Sequence, residues 1–448
     1  MLPIAEMFSA KVPRYTSYPT APHFHAGIDA GTYEEWLGSV SRDEPLSLYV
    51  HIPFCDTLCW FCGCHTTAVT TYKPVTDYCD LLLQEMALVS RALQARRAVS
   101  HVHWGGGSPT MLQVPEILRI NEAIRAQFDI LPDAEFGIEI DPRGLEPNTV
   151  QALKTAGVTR ASIGLQDCDP KVQRAINRIQ SDAETADAVF LLRDCGITNL
   201  NIDLVYGLPH QSLRSWETTL DFALRLDPDR LAVFGYAHMP QFKKHQALIP
   251  QSALPDIELR FELAELARRV LCAHGYAAVG LDHFARPHDP LAQAAATGNM
   301  TRNFQGYSTD RASALVGLGA SAIGSLPNGY VQNLVTVPSY RSALARGELP
   351  VARGVALSKD DRLRRAIIER LMCQLEVDLG RVAAEFDASD ADFSGALQRL
   401  APMAQDGVVS FDQGKLVIAP AWRSATRLVC AAFDQYLARG PARHSVSI

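Results

Sequence analysis

Between residues 46 and 237 six short apolar runs alternate with amphipathic stretches, and few folds accept that alternation. The runs are LSLYVHI (46–52), HVHWGG (101–106), FGIEID (136–141), RASIGLQ (160–166), NLNIDLVYG (199–207) and RLAVFGYA (230–237). Each has the length of a strand. The segments between them, TDYCDLLLQEMALVSRAL and SWETTLDFALRL among them, carry the period of a helix. Repeated strand–helix units build a parallel sheet. Six of them predict an α/β fold, a partial (βα)6 TIM-like barrel left open rather than closed eightfold.

What flanks the alternation differs in character. A long helix is expected over 256–274. The stretch 280–356, rich in Gly, Asn and Ser, reads as irregular and packed against the sheet. From residue 357 SKDDRLRRAIIERLMCQL and FSGALQRLAPMAQDG read as helices. VVSFDQGKLVIA reads as a hairpin, and a further helix follows it. This predicts three parts: an N-terminal arm or lid (1–40), the barrel with its extension (41–350), and a mainly helical, winged-helix-like domain (351–448). The 448 residues contain no apolar run of membrane-spanning length and no signal-peptide pattern at the start, which points to the cytoplasm. A net charge of -7 argues against a general nucleic-acid binder, yet a local arginine cluster can still hold an acidic ligand.

The loop after the first run, HIPFCDTLCWFCGCHT, holds Cys55, Cys59, Cys62 and Cys64. Disulfides do not suit a reducing compartment, and the six other cysteines, scattered singly, read as reduced apolar residues. Structural zinc usually takes two CxxC-like pairs, and no second pair exists here. The C-x3-C-x2-C trio suits a 4Fe–4S cluster in which three thiolates hold three irons and the fourth iron stays open to a ligand. The other polar candidates also fall at the C-terminal ends of the runs, where parallel βα folds gather function. They are Gly105, Gly106, Gly107 and Ser108 after the second run, Glu139 and Asp141 after the third, Gln166, Asp203, and Ala237 with His238. A glycine run lets backbone approach a ligand closely. Glu139 accepts hydrogen bonds only, as suits an ammonium or ribose hydroxyls. Asp141, followed by Pro142, reads as shaping a turn.

The trio at this place resembles the radical S-adenosylmethionine enzymes. YVHIPFC, PRYTSYP (13–19), WGGGSPT (104–110), IEIDPR (138–143), SIGLQD, INR, NIDLVYGLP, YAHMP, GLDHFARP and RNFQGY, in order, resemble the family of oxygen-independent coproporphyrinogen III oxidases. That resemblance implies a barrel of the radical SAM type, with Cys55, Cys59 and Cys62 as cluster ligands and Cys64 as an accessory cysteine. It implies contacts to the cluster-bound S-adenosylmethionine from Tyr49, Gly106, Glu139 and Ile323. A second S-adenosylmethionine is implied against Phe61, Gly107, Ser108, Gln166, Arg178, Asp203 and Ala237. Arg178 would grip that molecule's carboxylate as a guanidinium fork. Ser108 stands where the family usually has threonine and keeps the hydroxyl.

The implied chemistry begins when the reduced cluster cleaves S-adenosylmethionine to a 5′-deoxyadenosyl radical. The radical takes hydrogen from the β-carbon of a propionate, and loss of carbon dioxide and one electron leaves a vinyl group. Two such events turn coproporphyrinogen III into protoporphyrinogen IX in anaerobic heme biosynthesis. The partners implied are a tetrapyrrole substrate and an electron donor such as flavodoxin or ferredoxin, with no nucleic acid, no membrane and a monomeric chain. Arg14 and Tyr15 on the arm lie near the substrate in this reading, and Arg286 and Arg302 read either as grips for its carboxylates or as structural ion-pair residues. Three rivals stand beside it: a heme chaperone-like relative, a heme-opening radical SAM methyltransferase and a zinc-binding interaction module. The chaperones typically lack the equivalents of Cys64 and the PRYTSYP arm.

Overall fold

A computed structural model of the chain describes residues 3–388, 392–437 and 444–448. The six runs form β1 (Leu46–Ile52), β2 (Arg97–Gly106), β3 (Phe128–Ile140), β4 (Arg160–Gln166), β5 (Asn199–Tyr206) and β6 (Arg230–Gly235). They pair in parallel in the order 1-2-3-4-5-6. Between them run α1 (Lys73–Ala92), α2 (Val114–Gln127), α3 (Pro147–Ala156), α4 (Asp182–Asp194) and α5 (Leu213–Arg225), followed by α6 (Ile257–Ala273). Local chemistry starts several of these helices. Ser181 and Glu184 form a reciprocal capping box on α4, and Asp256 accepts from the Leu259 amide at the start of α6.

Strand alternation decides which face carries chemistry. In β5 Leu200, Ile202 and Leu204 are fully buried, while Asn201 and Asp203 point to the opposite face. In β4 Ala161 and Ile163 are likewise fully buried, with Ser162 between them on the other face. The register carries the polar row across the sheet: Glu139 lies beside Ser162, and Ser162 beside Asn201. The apolar rows join one extended core, and the polar rows take the opposite face.

The stretch 280–356 departs from expectation. It extends the sheet instead of packing irregularly against it. β7 (Ala277–Val279) and β8 (His283–Ala285) add to β6, with β8 antiparallel to it. β9 (Ala314–Leu318) pairs parallel to β1, and β10 (Ile323–Leu326), β11 (Gly329–Asn333) and β12 (Val351–Ala356) continue antiparallel beyond it. The sheet has twelve strands and its outer members, β12 and β7, do not pair with each other. These strands are three to six residues long and several contain glycine. Runs that short leave little periodicity to read.

Beyond the sheet come α7 (Lys359–Gln374), α8 (Leu379–Glu385), α9 (Ser394–Gln405) and α10 (Thr426–Ala431). A small antiparallel sheet joins Glu376–Asp378, Lys415–Ile418 and Val409–Asp412, in that spatial order. The N-terminal arm lies between this part and the barrel rim. Arg14 donates to the Gly235 carbonyl at 2.6 Å, and Tyr15 donates to Asp434 at 3.0 Å. No helix among the described residues is long and apolar enough to cross a membrane.

Candidate active site

The cysteine loop leaves β1 through a short parallel ladder between Phe54–Cys55 and Thr67–Ala68. From there it is tied down from two sides. Asn177 donates to the Leu58 carbonyl at 3.0 Å, and the Trp60 amide donates to Ile176 O at 2.9 Å. On the other side a strap following β6 reaches over: Lys243 donates to Cys64 O, Gln246 to Phe61 O, and the His245 ring meets Cys62 O at 2.8 Å. A loop of ten residues with four thiols is thus fixed through its backbone carbonyls, leaving the sulfurs free of that task.

The sulfurs sit in unlike surroundings. Cys59 is buried, with Arg178 Nη1 at 3.6 Å and Arg143 Nη2 at 3.8 Å from its Sγ. Cys55 Sγ lies 3.2 Å from Thr66 Oγ1, and burial pushes its thiol up to about 11. The Cys64 amide donates to Cys62 Sγ at 3.4 Å, and Cys64 itself is exposed. Among the described residues no three His, Cys, Asp or Glu side chains converge closely enough to hold a single metal ion.

Asp141 does more than shape a turn. Its carboxylate takes Arg143 at 2.6 Å and Arg178 at 3.1 Å, so it aims both guanidiniums at the cysteine loop. The two arginines outweigh the cost of burial and hold the Asp141 carboxyl below its ordinary range. Arg178 also donates to Gly164 O at 2.7 Å, and its Nε has no partner.

The glycine run packs against protein before it meets any ligand. Gly106 has φ +115, and a Cβ there would stand 2.5 Å from the His51 ring. A Cβ on Gly107 would stand 2.4 Å from the Phe54 carbonyl, whose neighbour is the first cysteine. These glycines let β2 turn tightly under the cysteine loop, and the Ser108 amide donates to Phe54 O at 2.7 Å to complete the join. The Ser108 hydroxyl is buried beside Thr110.

Glu139 accepts from the Gly106 amide at 3.0 Å and has His103 Nε2 at 3.6 Å. Burial alone would raise its carboxyl, but His103 and the amide outweigh it and keep it below the ordinary glutamate range. Tyr49 stacks on His103 with ring centroids 6.0 Å apart, and its hydroxyl meets His51 Nδ1 at 2.9 Å. Ile323 opens β10 against Gly317, which pairs with Tyr49. Asp203 accepts from Ser162 at 2.8 Å and Asn201 at 2.7 Å, and burial pushes its carboxyl up to about 6. Gln166, at the end of β4, has φ 66. Phe61 packs with Ile176 and Tyr236, and Ala237 follows the latter.

Not every candidate reaches this rim. Arg286 stacks on Tyr276 at 4.1 Å and pairs with Asp227 at 2.5 Å, so it serves a local ion pair away from the site. Arg302 and Arg14 do meet, in the wall of a cavity of about 230 Å³ beside the end of β6. The Tyr15 hydroxyl is taken by Asp434. Residues that sequence reasoning missed include the strap Lys243–Gln246, Arg143, and Arg427 of α10 in the same cavity wall. Arg143 and Asn177 stood inside the quoted motifs IEIDPR and INR. For the strap and Arg427 no spacing in the sequence gave a signal.

A profile of the Radical SAM superfamily matches residues 49–223, and one of the HemN C-terminal domain matches 357–421. The oxygen-independent coproporphyrinogen III oxidase of Bradyrhizobium diazoefficiens is 47% identical, covering 98% of this chain and 97% of that protein. The protein of the same name from Escherichia coli is 40% identical over 97% of this chain and 95% of its own length. The solved structure of coproporphyrinogen III oxidase (HemN) from Escherichia coli, described as a radical SAM enzyme, superposes with a TM-score of 0.90. It is 37% identical and covers 96% of this chain and 100% of that one.

Proposed function

Because this chain belongs to the family of oxygen-independent coproporphyrinogen III oxidases within the radical SAM superfamily, we propose how its own residues serve that activity. The family's reaction is the oxidative decarboxylation of two propionates of coproporphyrinogen III to vinyls, giving protoporphyrinogen IX. Heme chaperones and heme-opening methyltransferases are not favoured by these relatives. The enzyme uses a 4Fe–4S cluster and S-adenosylmethionine, and together they supply a carbon radical able to take hydrogen from an unactivated C–H bond.

The donor set here fits both groups. Cys55, Cys59 and Cys62 would hold three irons, and three thiolates carry a negative charge that the protein must offset. The single observation that carries the assignment is the pair Arg143 and Arg178, held by Asp141 and aimed at Cys59 Sγ. Cys64, outside that pair and exposed, fits an accessory role. Around the rim Arg178 Nε and Asn201 Oδ1 are buried without hydrogen-bond partners, which supports a polar ligand there.

Tyr49, Gly106, Glu139 and Ile323 would face the cluster-bound S-adenosylmethionine, with Glu139 accepting from its ammonium. Phe61, Gly107, Ser108, Gln166, Arg178, Asp203 and Ala237 would face a second molecule. Asp203 is suited to a hydroxyl pair while ionised. Arg178 would trade part of its pairing with Asp141 for a ligand carboxylate. The arm would cover the rim with Arg14 toward the substrate and so exclude water and stray hydrogen donors. We read residues 1–40 as that arm, 41–350 as the catalytic barrel with its extension and 351–448 as a mainly helical, winged-helix-like domain, whose first residues, Val351–Ala356, supply the outermost strand of the sheet. The enzyme would act as a monomer in the cytoplasm and draw electrons from a small carrier such as flavodoxin or ferredoxin.

The test is anaerobic incubation with coproporphyrinogen III, S-adenosylmethionine and a reductant. Carbon dioxide, 5′-deoxyadenosine and a divinyl product are expected together. Deoxyadenosine without decarboxylation would refute the substrate assignment.

A further inference from the structure

Beside the end of β6 lies a cavity of about 230 Å³ whose wall holds Arg14, Arg302 and Arg427, brought from the arm, the Thr301–Ser308 hairpin and α10. Arg427 is buried and Arg14 and Arg302 are half-buried, but Nε and Nη1 of both Arg302 and Arg427 are themselves out of contact with solvent. Their donors are largely unused by protein. Arg302 leaves Nε and Nη1 without partners, and so does Arg427. Arg14 spends one nitrogen on Gly235 O, and Arg427 one on Ser447 O. Two further arginines in the wall are already engaged: Arg268 with Glu265 at 2.8 Å, and Arg423 with the Gly280 carbonyl. The side-chain carboxylates in the wall are Glu265 and Asp282, and Asp282 is shared with His283 at 2.8 Å.

Arg302 also stacks on the Tyr307 ring at 4.3 Å, yet no side-chain carboxylate pairs with any of the three guanidiniums among the described residues, so their positive charge exceeds what the wall offsets. Buried charge without a partner is costly, so such a set persists where an anion completes it. The forked donors match carboxylate oxygens better than a lone halide. The volume is below the roughly 300–1,000 Å³ of sites that enclose a drug-sized ligand. The cavity therefore suits carboxylate arms and not a whole macrocycle.

Resting on the tetrapyrrole reading above, we propose that Arg14, Arg302 and Arg427 form one clamp for non-reacting propionates of the substrate. The reacting propionate must give up its carboxylate as neutral carbon dioxide, and a guanidinium fork stabilises the charged form that has to disappear. A clamp of this kind would slow decarboxylation of whatever it holds, so it positions spectators and leaves the reacting arm to the cofactor side of the rim. The arrangement also makes specificity depend on three separate chain segments meeting in one wall.

The test uses the anaerobically purified, cluster-loaded full chain titrated with coproporphyrin III, the stable oxidised tetracarboxylate, and with its tetramethyl ester, followed by porphyrin fluorescence in one detergent-containing buffer. Wild type should bind the acid at least tenfold more tightly than the ester. Arg302→Gln and Arg427→Gln should each weaken acid binding roughly tenfold to a hundredfold, the range of one charge-assisted hydrogen bond, and leave the ester unaffected. Arg286→Gln, outside the cavity, should match wild type on both. Where a glutamine variant does not fold, the lysine variant decides: it keeps the charge, loses the fork and should still weaken the acid several-fold. Equal wild-type affinity for acid and ester overturns the clamp, as does unchanged acid binding in the folded Arg302 and Arg427 variants. Failure of the underlying reading shows elsewhere, as wild type that lacks iron or makes no deoxyadenosine under reduction.

Discussion

Glu85 is the buried acid on which the fixing of α1 against the sheet extension depends. Its carboxylate accepts from the Gly319 amide, the Asn333 side chain and the Tyr340 hydroxyl, each at 2.5 Å. Two helical turns earlier Tyr78 donates to the His51 carbonyl at 2.7 Å and accepts from the Ala320 amide at 2.9 Å. The end of β1, from which the cysteine loop departs, is thereby tied to the same helix. Burial pushes the Glu85 carboxyl from 4.5 up to about 7, and its three donors pull the other way without prevailing. That gap corresponds to about 3 kcal/mol, at 1.36 kcal/mol for each pH unit. The native state holds the proton that the unfolded chain has released between pH 4.5 and 7. Stability from this group is therefore complete below pH 4.5, falls as pH rises, and is lost above about 7. Glu85→Gln keeps the shape and removes the proton. Urea unfolding of wild type and variant should be followed by tryptophan fluorescence from pH 5 to 8. The variant should gain on wild type by about 2 to 3 kcal/mol over that range. Parallel stability curves for the two proteins would show that Glu85 is ionised throughout and refute the reasoning.

Replacing Cys59 with Ala should abolish bound iron and deoxyadenosine formation, whereas Cys64→Ala should retain iron, as checked by iron and sulfide assay. Asn177→Ala removes one hydrogen bond to the cysteine loop, worth about 1 kcal/mol. Iron should then leave several times faster to a chelator, with little change in the unfolding midpoint. With its carboxyl pushed up to about 6, Asp203 accepts from hydroxyls with both oxygens above that pH, and as it protonates below it loses its charge and turns one oxygen into a donor. S-adenosylmethionine affinity should fall between pH 7 and 5 in wild type. In Asp203→Asn it should be weaker, and its fall over that interval should be smaller by Asp203's contribution. Equilibrium dialysis with labelled S-adenosylmethionine measures both.

The barrel strands were readable along the chain because short apolar runs and helical stretches succeed one another, and that succession is a local property. Leu200, Ile202 and Leu204 separate from Asn201 and Asp203 by period alone. The cysteine trio was readable too, since its spacing lies within one loop. Strands β8 to β12 were not, because runs of three to six residues acquire their pairing from neighbours distant in sequence. Nor was Asp141 readable as the holder of two arginines. It stands two residues from Arg143 but thirty-seven from Arg178, and only folding closes that distance.

The chain's own order of residues settled the family, the βα succession and which loop carries sulfur, since these depend on neighbours a few positions apart. Folding alone decided that Arg14, Arg302 and Arg427 share a wall while Arg286 faces Asp227 elsewhere. Four arginines look alike in sequence. Charge acquires meaning from what it is buried against, and that is set by contacts between segments hundreds of residues apart.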